Sequence, residues 1–205
     1  MTTTLLTGFN RFGDLEVNPT QLIVESLAER PRTLTNVNLV AEVLPTEFIE
    51  AGNRISQLIR QHRPEMVVCL GLGAGLGEIH LERVALNLDD GGMPDNAGLS
   101  RTGQTIVPDG PLAYQSTLPL VQLREALRQR GIPAVISNHA GTYVCNHVFY
   151  LARHEVERLG IGSLCGFIHL PQISENTGAG ALPMFGLTLD VMMEAVECCL
   201  NVGST

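Results

Sequence analysis

Ser137-Asn138-His139-Ala140-Gly141-Thr142-Tyr143-Val144-Cys145-Asn146-His147 joins two patterns of different period. Before it, Ile132 to Ile136 is an apolar run of strand length; after it, Val148, Leu151, Ala152, Val156 and Leu159 recur at helical spacing. Cys145 therefore falls at a helix start. Unpaired N–H groups and the macrodipole there favour a negative sulfur and place backbone donors beside it for an oxyanion. Position alone leaves two readings open: a nucleophilic thiolate, or a small buried hydrophobe between Val144 and Asn146.

The same alternation runs through the rest of the chain. Leu5 to Gly8 reads as a strand, Phe9-Asn10-Arg11-Phe12-Gly13 as a loop exposing two phenylalanines, and Asn18-Pro19 as the cap and first turn of a helix bearing Leu22, Ile23 and Leu27. Val37 to Leu44 is a strand. Phe48, Ala51, Ile55, Leu58 and Ile59 then mark a helix to His62, closed by Pro64. Met66 to Leu70 is apolar throughout, as in a parallel strand buried on both faces, which puts Cys69 in the core. Glu82 stands at the start of a strand in which Val84, Leu86 and Leu88 alternate with polar residues, and Gly98 to Pro108 is a polar excursion. Leu118-Pro119 opens a helix bearing Leu120, Leu123 and Leu127, ended by Gly131 and Pro133. Ser163 to Pro171 is a strand that ends in His169, with Cys165 in the core. Leu189, Met192, Met193, Val196 and Leu200 form a last helix, on which adjacent Cys198 and Cys199 point about 100° apart, one packed and the other more exposed. The expected fold is one α/β domain over residues 1–205: an open, twisted, mostly parallel sheet with helices on both faces.

Composition narrows the function. A chain of 205 residues with 44% hydrophobic content and mean hydropathy +0.16 can bury a substantial core. Net charge −8, no basic run and no tryptophan argue against nucleic acid and for a small neutral or weakly charged ligand. The N-terminus has neither a basic region nor a sustained apolar segment, and no run approaches the ~20 apolar residues of a membrane span, so a cytoplasmic protein is expected. Five cysteines, odd in number and without C-x-x-C spacing, fit reduced thiols better than disulfides or zinc.

Gly71-Leu72-Gly73-Ala74-Gly75-Leu76-Gly77 follows a strand but does not fit a dinucleotide loop, since Leu76 and Glu78 occupy the positions of the last glycine and a strand follows. A loop allowing close backbone approach to a ligand remains open. Asp89, Asp90 and Asp95 read as solvated loop acids rather than metal ligands, and Glu82 taken alone as a solvated carboxylate. Of six histidines, His62 and His154 lie in helical patterns as surface residues, and His139 and His147 flank Cys145 too closely to fold back on it. His169 is the strongest partner, ending a strand at the sheet edge that carries Phe9 and Cys145.

Four segments together resemble one family. They are Thr7-Gly8-Phe9-x-x-Phe12-Gly13 with Val17-Asn18-Pro19; Glu82-Arg83-Val84-Ala85-Leu86-Asn87 continuing into Asp89 to Asn96; the Cys145 stretch; and Gly166-Phe167-Ile168-His169-Leu170-Pro171. In this order, spread over most of the chain, they are similar to the pyrrolidone carboxyl peptidases, or pyroglutamyl peptidases I. The resemblance implies a Cys145–His169–Glu82 triad, Phe9 and Phe12 in the substrate pocket, and N-terminal pyroglutamyl peptides as substrates; Met93, Tyr143 and Val144 are expected to enclose the lactam ring with the two phenylalanines, and Thr46 to be a polar contact. It also implies no metal, no cofactor and a homo-oligomer, often a tetramer. Leu72, Leu76, Gly92 and Arg11 replace a glutamine, two arginines and a proline common in the family. Two other readings stay in view: an enzyme of nucleoside phosphorylase type, because the family's open α/β architecture resembles that fold and Gly71 to Gly77 could cradle phosphate, and, motivated by Leu72 and Gly92, a paralogue that binds pyroglutamyl groups without hydrolysing them.

Overall fold

In the computed structural model, which describes residues 1–13, 15–29, 34, 36–174 and 186–203, seven strands form one sheet. In chain order the elements are β1 (Thr2–Phe9), α1 (Pro19–Glu29), β2 (Val37–Leu44), α2 (Phe48–His62), β3 (Met66–Leu72), β4 (Ile79–Leu86), β5 (Ala113–Gln115), α3 (Leu120–Gln129), β6 (Ala134–His139), α4 (Val144–Leu159), β7 (Leu164–Leu170) and α5 (Leu189–Gly203). The strand order is β2-β1-β3-β7-β4, and β4 pairs further with both β5 and β6. β2, β1, β3 and β7 are mutually parallel; β4 runs antiparallel to β7 and β5.

Two apolar layers cover the sheet. Met66, Val68, Leu70, Ile168 and Leu170 face α1, α3 and α5, whereas Val67, Cys69, Cys165 and Phe167 face α2 and α4. β3 is buried along nearly its whole length, as its continuous apolar run requires. Cys198 and Cys199 are both buried, contrary to the expectation that one would be exposed. α5 touches both α1 and α3, so its covered arc is wider than the angle between adjacent residues.

Two elements differ from the sequence pattern in ways that matter for the site. β4 begins at Ile79, because Ile79 and Leu81 fill one core layer; Glu82 is thus in mid-strand and 2% exposed rather than at a solvated strand start. β6 pairs in parallel with β4, so the strand leading to Cys145 runs opposite to β7, which carries His169. Cys145 does not reach His169 along a shared carboxyl edge. The turn 140–143, with Gly141 at φ 78°, sends α4 back across the α2 side of the sheet.

α1 starts as its sequence dictates. Asn18 Oδ1 accepts bonds from Thr20 N (3.0 Å) and Thr20 Oγ1 (2.9 Å), its Nδ2 donates to Asn10 O (3.0 Å), and the residue is buried. Asn18→Ala removes the cap and leaves buried donors unpaired, so urea unfolding should show a loss of about 1–2 kcal/mol. An unchanged midpoint would mean that the cap contributes nothing.

Candidate active site

Cys145 is the second residue of α4. Tyr143 precedes the helix in extended conformation and offers no side-chain cap, and the first main-chain bond of the turn runs from His147 N to Tyr143 O. The earlier N–H groups of the first turn therefore stay free of intrahelical acceptors, beside the sulfur. The sulfur also lies against bare backbone, since a Cβ built on Gly71 would come within 2.9 Å of Cys145 Sγ and 2.7 Å of the Phe167 ring. Gly71 sits at the end of β3, in register with His169 on β7. Only a glycine lets Cys145, Phe167 and His169 converge there.

Glu82 and His169 lie on neighbouring antiparallel strands, where His80 is opposite His169 and Glu82 opposite Phe167. The diagonal brings Glu82 Oε1 to 2.8 Å from His169 Nδ1. With Nδ1 so occupied, the other ring nitrogen is left for Cys145, the second hydrogen-bond partner of this imidazole. Burial by itself would lower the histidine pKa. The Cys145 sulfur, through its hydrogen bond and charge, and then Glu82 outweigh that effect and hold His169 at about 9. The other four cysteines are buried, and burial raises their thiols, Cys69 to about 12. Cys145 alone is partly exposed.

Beside Cys145 opens a cavity of about 250 Å³ lined by Phe9, Phe12, Leu15, Asn18, Thr46, Leu72, Ala74, Met93, Tyr143 and Cys145. It falls below the ~300–1,000 Å³ of sites for drug-sized ligands, a size that suits one small ring. Five of the six pocket residues expected from the sequence line it. Val144 does not; it is fully buried in the core under the helix start. Phe9 lines the cavity yet is only 2% exposed, whereas the sequence suggests two exposed phenylalanines. Phe12 packs on Tyr143, with ring centroids 5.4 Å apart. Apart from Cys145, the lining holds no acidic, lysine, arginine or histidine side chain.

Other polar residues read differently in three dimensions. Asp89 is fully buried against His147 and Arg101, and Asp95 caps α2 across the chain, its Oδ2 accepting from Phe48 N (2.8 Å). Neither is a solvated loop acid; only Asp90 of the three is exposed. Isolated acids read as solvated because nothing local marks their distant partners. His147 turns away from Cys145 to Asp89, and His139 accepts a bond from Gly141 N. His154 is not a free surface residue but bonds to the Tyr114 hydroxyl (2.9 Å) and stacks on Tyr150. Asn146, which the sequence did not single out, is fully buried and ties α4 to the end of β4 through bonds with Leu86 N, Leu86 O and Leu88 O. An asparagine at the third position of a helix, among apolar residues, was the available signal. Among the described residues no cluster of His, Cys, Asp and Glu could hold a metal, and no helix is long and apolar enough to cross a membrane.

The pyroglutamyl peptidase family model matches residues 2–204. A pyrrolidone-carboxylate peptidase of Oceanobacillus iheyensis is 39% identical over 96% of this chain and 96% of its own length, and one of Pseudomonas fluorescens is 42% identical over 89% and 84%. Among solved structures, Bacillus amyloliquefaciens pyroglutamyl peptidase I superposes with a TM-score of 0.90 at 35% identity, covering 100% of this chain and 97% of that one. Pyrrolidone carboxyl peptidase of Pyrococcus furiosus gives 0.90 at 35%, covering 98% and 97%. A cysteine at an uncapped helix start, a histidine held by a buried carboxylate, and similarity along the whole length all lead to one assignment: the chain belongs to the pyroglutamyl peptidase family.

Proposed function

We infer that the chain is a cysteine peptidase that removes N-terminal pyroglutamyl residues, with Cys145 as nucleophile, His169 as acid and base, and Glu82 as the group that orients His169. The observation that carries the roles is the chain of contacts from the partly exposed Cys145 through His169 to the buried Glu82. The Cys145 sulfur attacks the pyroglutamyl carbonyl, and the resulting oxyanion is met by the free N–H groups at the start of α4. Collapse breaks the C–N bond as protonated His169 gives its proton to the leaving amine, leaving a thioester on Cys145. His169, now neutral, takes a proton from water; the hydroxyl adds to the thioester, and pyroglutamate leaves as Cys145 and His169 return to their starting state.

The ring enters a mainly apolar cavity. Thr46 Oγ1 is 3.0 Å from Asn10 Oδ1 and 3.1 Å from Asn10 O, so it donates there and keeps lone pairs for the lactam N–H. Leu72 and Ala74, from the glycine-rich segment, line this cavity beside aromatic rings and bring no positive charge for a phosphate, which disfavours the phosphorylase reading. The intact set of Cys145, His169 and Glu82 disfavours a paralogue that only binds.

A fluorogenic pyroglutamyl amide assayed with wild type and Cys145→Ala tests the assignment: turnover should vanish in the variant. Glutaminyl and prolyl amides carry an ammonium, for which the cavity lining offers no carboxylate partner. A penalty of about 4 kcal/mol for its burial corresponds to roughly 10³-fold lower kcat/KM. Comparable kcat/KM for the three amides at pH 7 would exclude a lactam site.

The pH profile tests the histidine. His169 keeps its proton until the pH passes about 9, and its loss removes the acid for the leaving amine, so kcat/KM should decline above that pH. Glu82 favours the protonated ring, so Glu82→Gln should move this alkaline limb to lower pH as well as cut kcat by about 10²-fold or more. A limb that stays in place in the variant would detach Glu82 from His169.

A further inference from the structure

Behind the pocket wall lies a buried ion cluster that the reaction does not use. Asp89, fully buried, receives Arg101 Nη1 at 2.9 Å and His147 Nδ1 at 2.8 Å on the same oxygen, with His147 Nδ1 at 3.1 Å from the other. The Arg101 guanidinium lies 5.5 Å from the centroid of the Phe48 ring. Phe48 in turn meets Tyr143 edge-on at 5.3 Å and His147 at 5.5 Å. Arg101 also acts through its main chain, its carbonyl accepting from Gly91 N at 3.1 Å. Gly91 is pressed against the Tyr143 ring so closely that a Cβ there would come within 2.4 Å of it, and the Tyr143 hydroxyl donates to Pro94 O at 3.0 Å. Side chain and backbone of one arginine thus brace the two parts of one wall: Tyr143, and the strip from Gly91 to Met93.

We propose that Arg101 is a positioning residue for ring recognition, fixing the Tyr143–Met93 wall through Asp89, Phe48 and Gly91. This rests on the assignment of the cavity to the pyroglutamyl ring. The guanidinium is the permanent countercharge of a carboxylate with no access to water, and without it Asp89 has only His147 for a partner. The wall that packs on this cluster must then shift, while Cys145, His169 and Glu82, none of which bonds to Asp89 or Arg101, keep their contacts. Arg101 therefore governs affinity for the ring and not the chemical step.

The test compares Arg101→Met, Arg101→Lys and wild type for kcat and KM on a pyroglutamyl aminocoumarin amide, for the Ki of 2-pyrrolidone as the bare lactam ring, and for melting temperature. Arg54→Met, which removes a partly exposed pair between Arg54 of α2 and Glu42 of β2, controls for the loss of an ion pair in general. In Arg101→Met, KM and Ki should both rise about 10-fold while kcat stays within about threefold, as expected for a misplaced binding wall. Arg101→Lys should recover part of the affinity, and Arg54→Met should leave both constants unchanged. A fall in kcat with Ki unchanged, or a lower melting temperature with KM and Ki unchanged, overturns the proposal. If Arg101→Met does not fold, Arg101→Lys and Phe48→Leu carry the test, and an unaltered Ki in both overturns it. Turnover that survives in Cys145→Ala would instead show that the cavity assignment itself has failed, and the role of Arg101 with it.

Discussion

A carboxylate inside a sheet is tolerable only if a cation or a strong donor is buried with it, and Glu82 meets this condition through His169 alone among the hydrogen bonds it makes. The arrangement around Cys145 follows from that pairing. β4 must lie beside β7 and run against it for the diagonal contact to form, and the imidazole then has a single free nitrogen with a single direction. Cys145 has to be delivered to that spot from the α2 side of the sheet. Gly71 makes room for it, and Asn146 clamps the first turn of α4 to the end of β4. The N–H groups beside the sulfur that lack intrahelical acceptors come with the helix start and need no further side chain.

Much of this was legible in the sequence where the signal was local. Periodicity located β2 and α2 to the residue, the Asn18-Pro19 start, and a helix beginning at Cys145. Glu82, Cys145 and His169 were named through the family resemblance, since composition and spacing alone left a solvated acid and a buried thiol open. The misreadings share one cause, which is that partners far apart in sequence leave no local trace. Asp89 and Asp95 look like solvated acids until Arg101, His147 and the N–H of Phe48 are brought to them. The direction of β6 depends on which strand it joins, and an apolar run does not encode that. Val144, expected in the pocket, stands next to Cys145 in sequence, but a helix turns successive side chains about 100° apart, and the core claims this one.

The four departures from the family pattern have separate physical settings. Leu72 adds apolar surface to the cavity. Leu76 folds over Gly73, so closely that a Cβ at Gly73 would sit 2.2 Å from it, and closes the glycine-rich segment on itself. Gly92 takes φ 68°, a conformation that strains any residue with a side chain, and so belongs to the path of the wall strip. Arg11 is exposed. None of the four touches Glu82 or His169 through a hydrogen bond or ion pair in the structure.

The bonds that seat the start of α4 join residues 49 to 60 positions apart: Tyr143 to Pro94, Thr142 to Asp90, His147 to Asp89, Asn146 to Leu86 and Leu88. Glu82 and His169 are 87 apart. Contacts of this range form only after the chain has surrendered most of its conformational entropy, because each closes a long loop. Helices can form from nearby residues; Cys145 cannot be seated until both halves of the molecule have docked. During refolding, secondary structure is thus acquired ahead of catalytic competence, and a partly folded chain carries an unaligned thiol and no working protease.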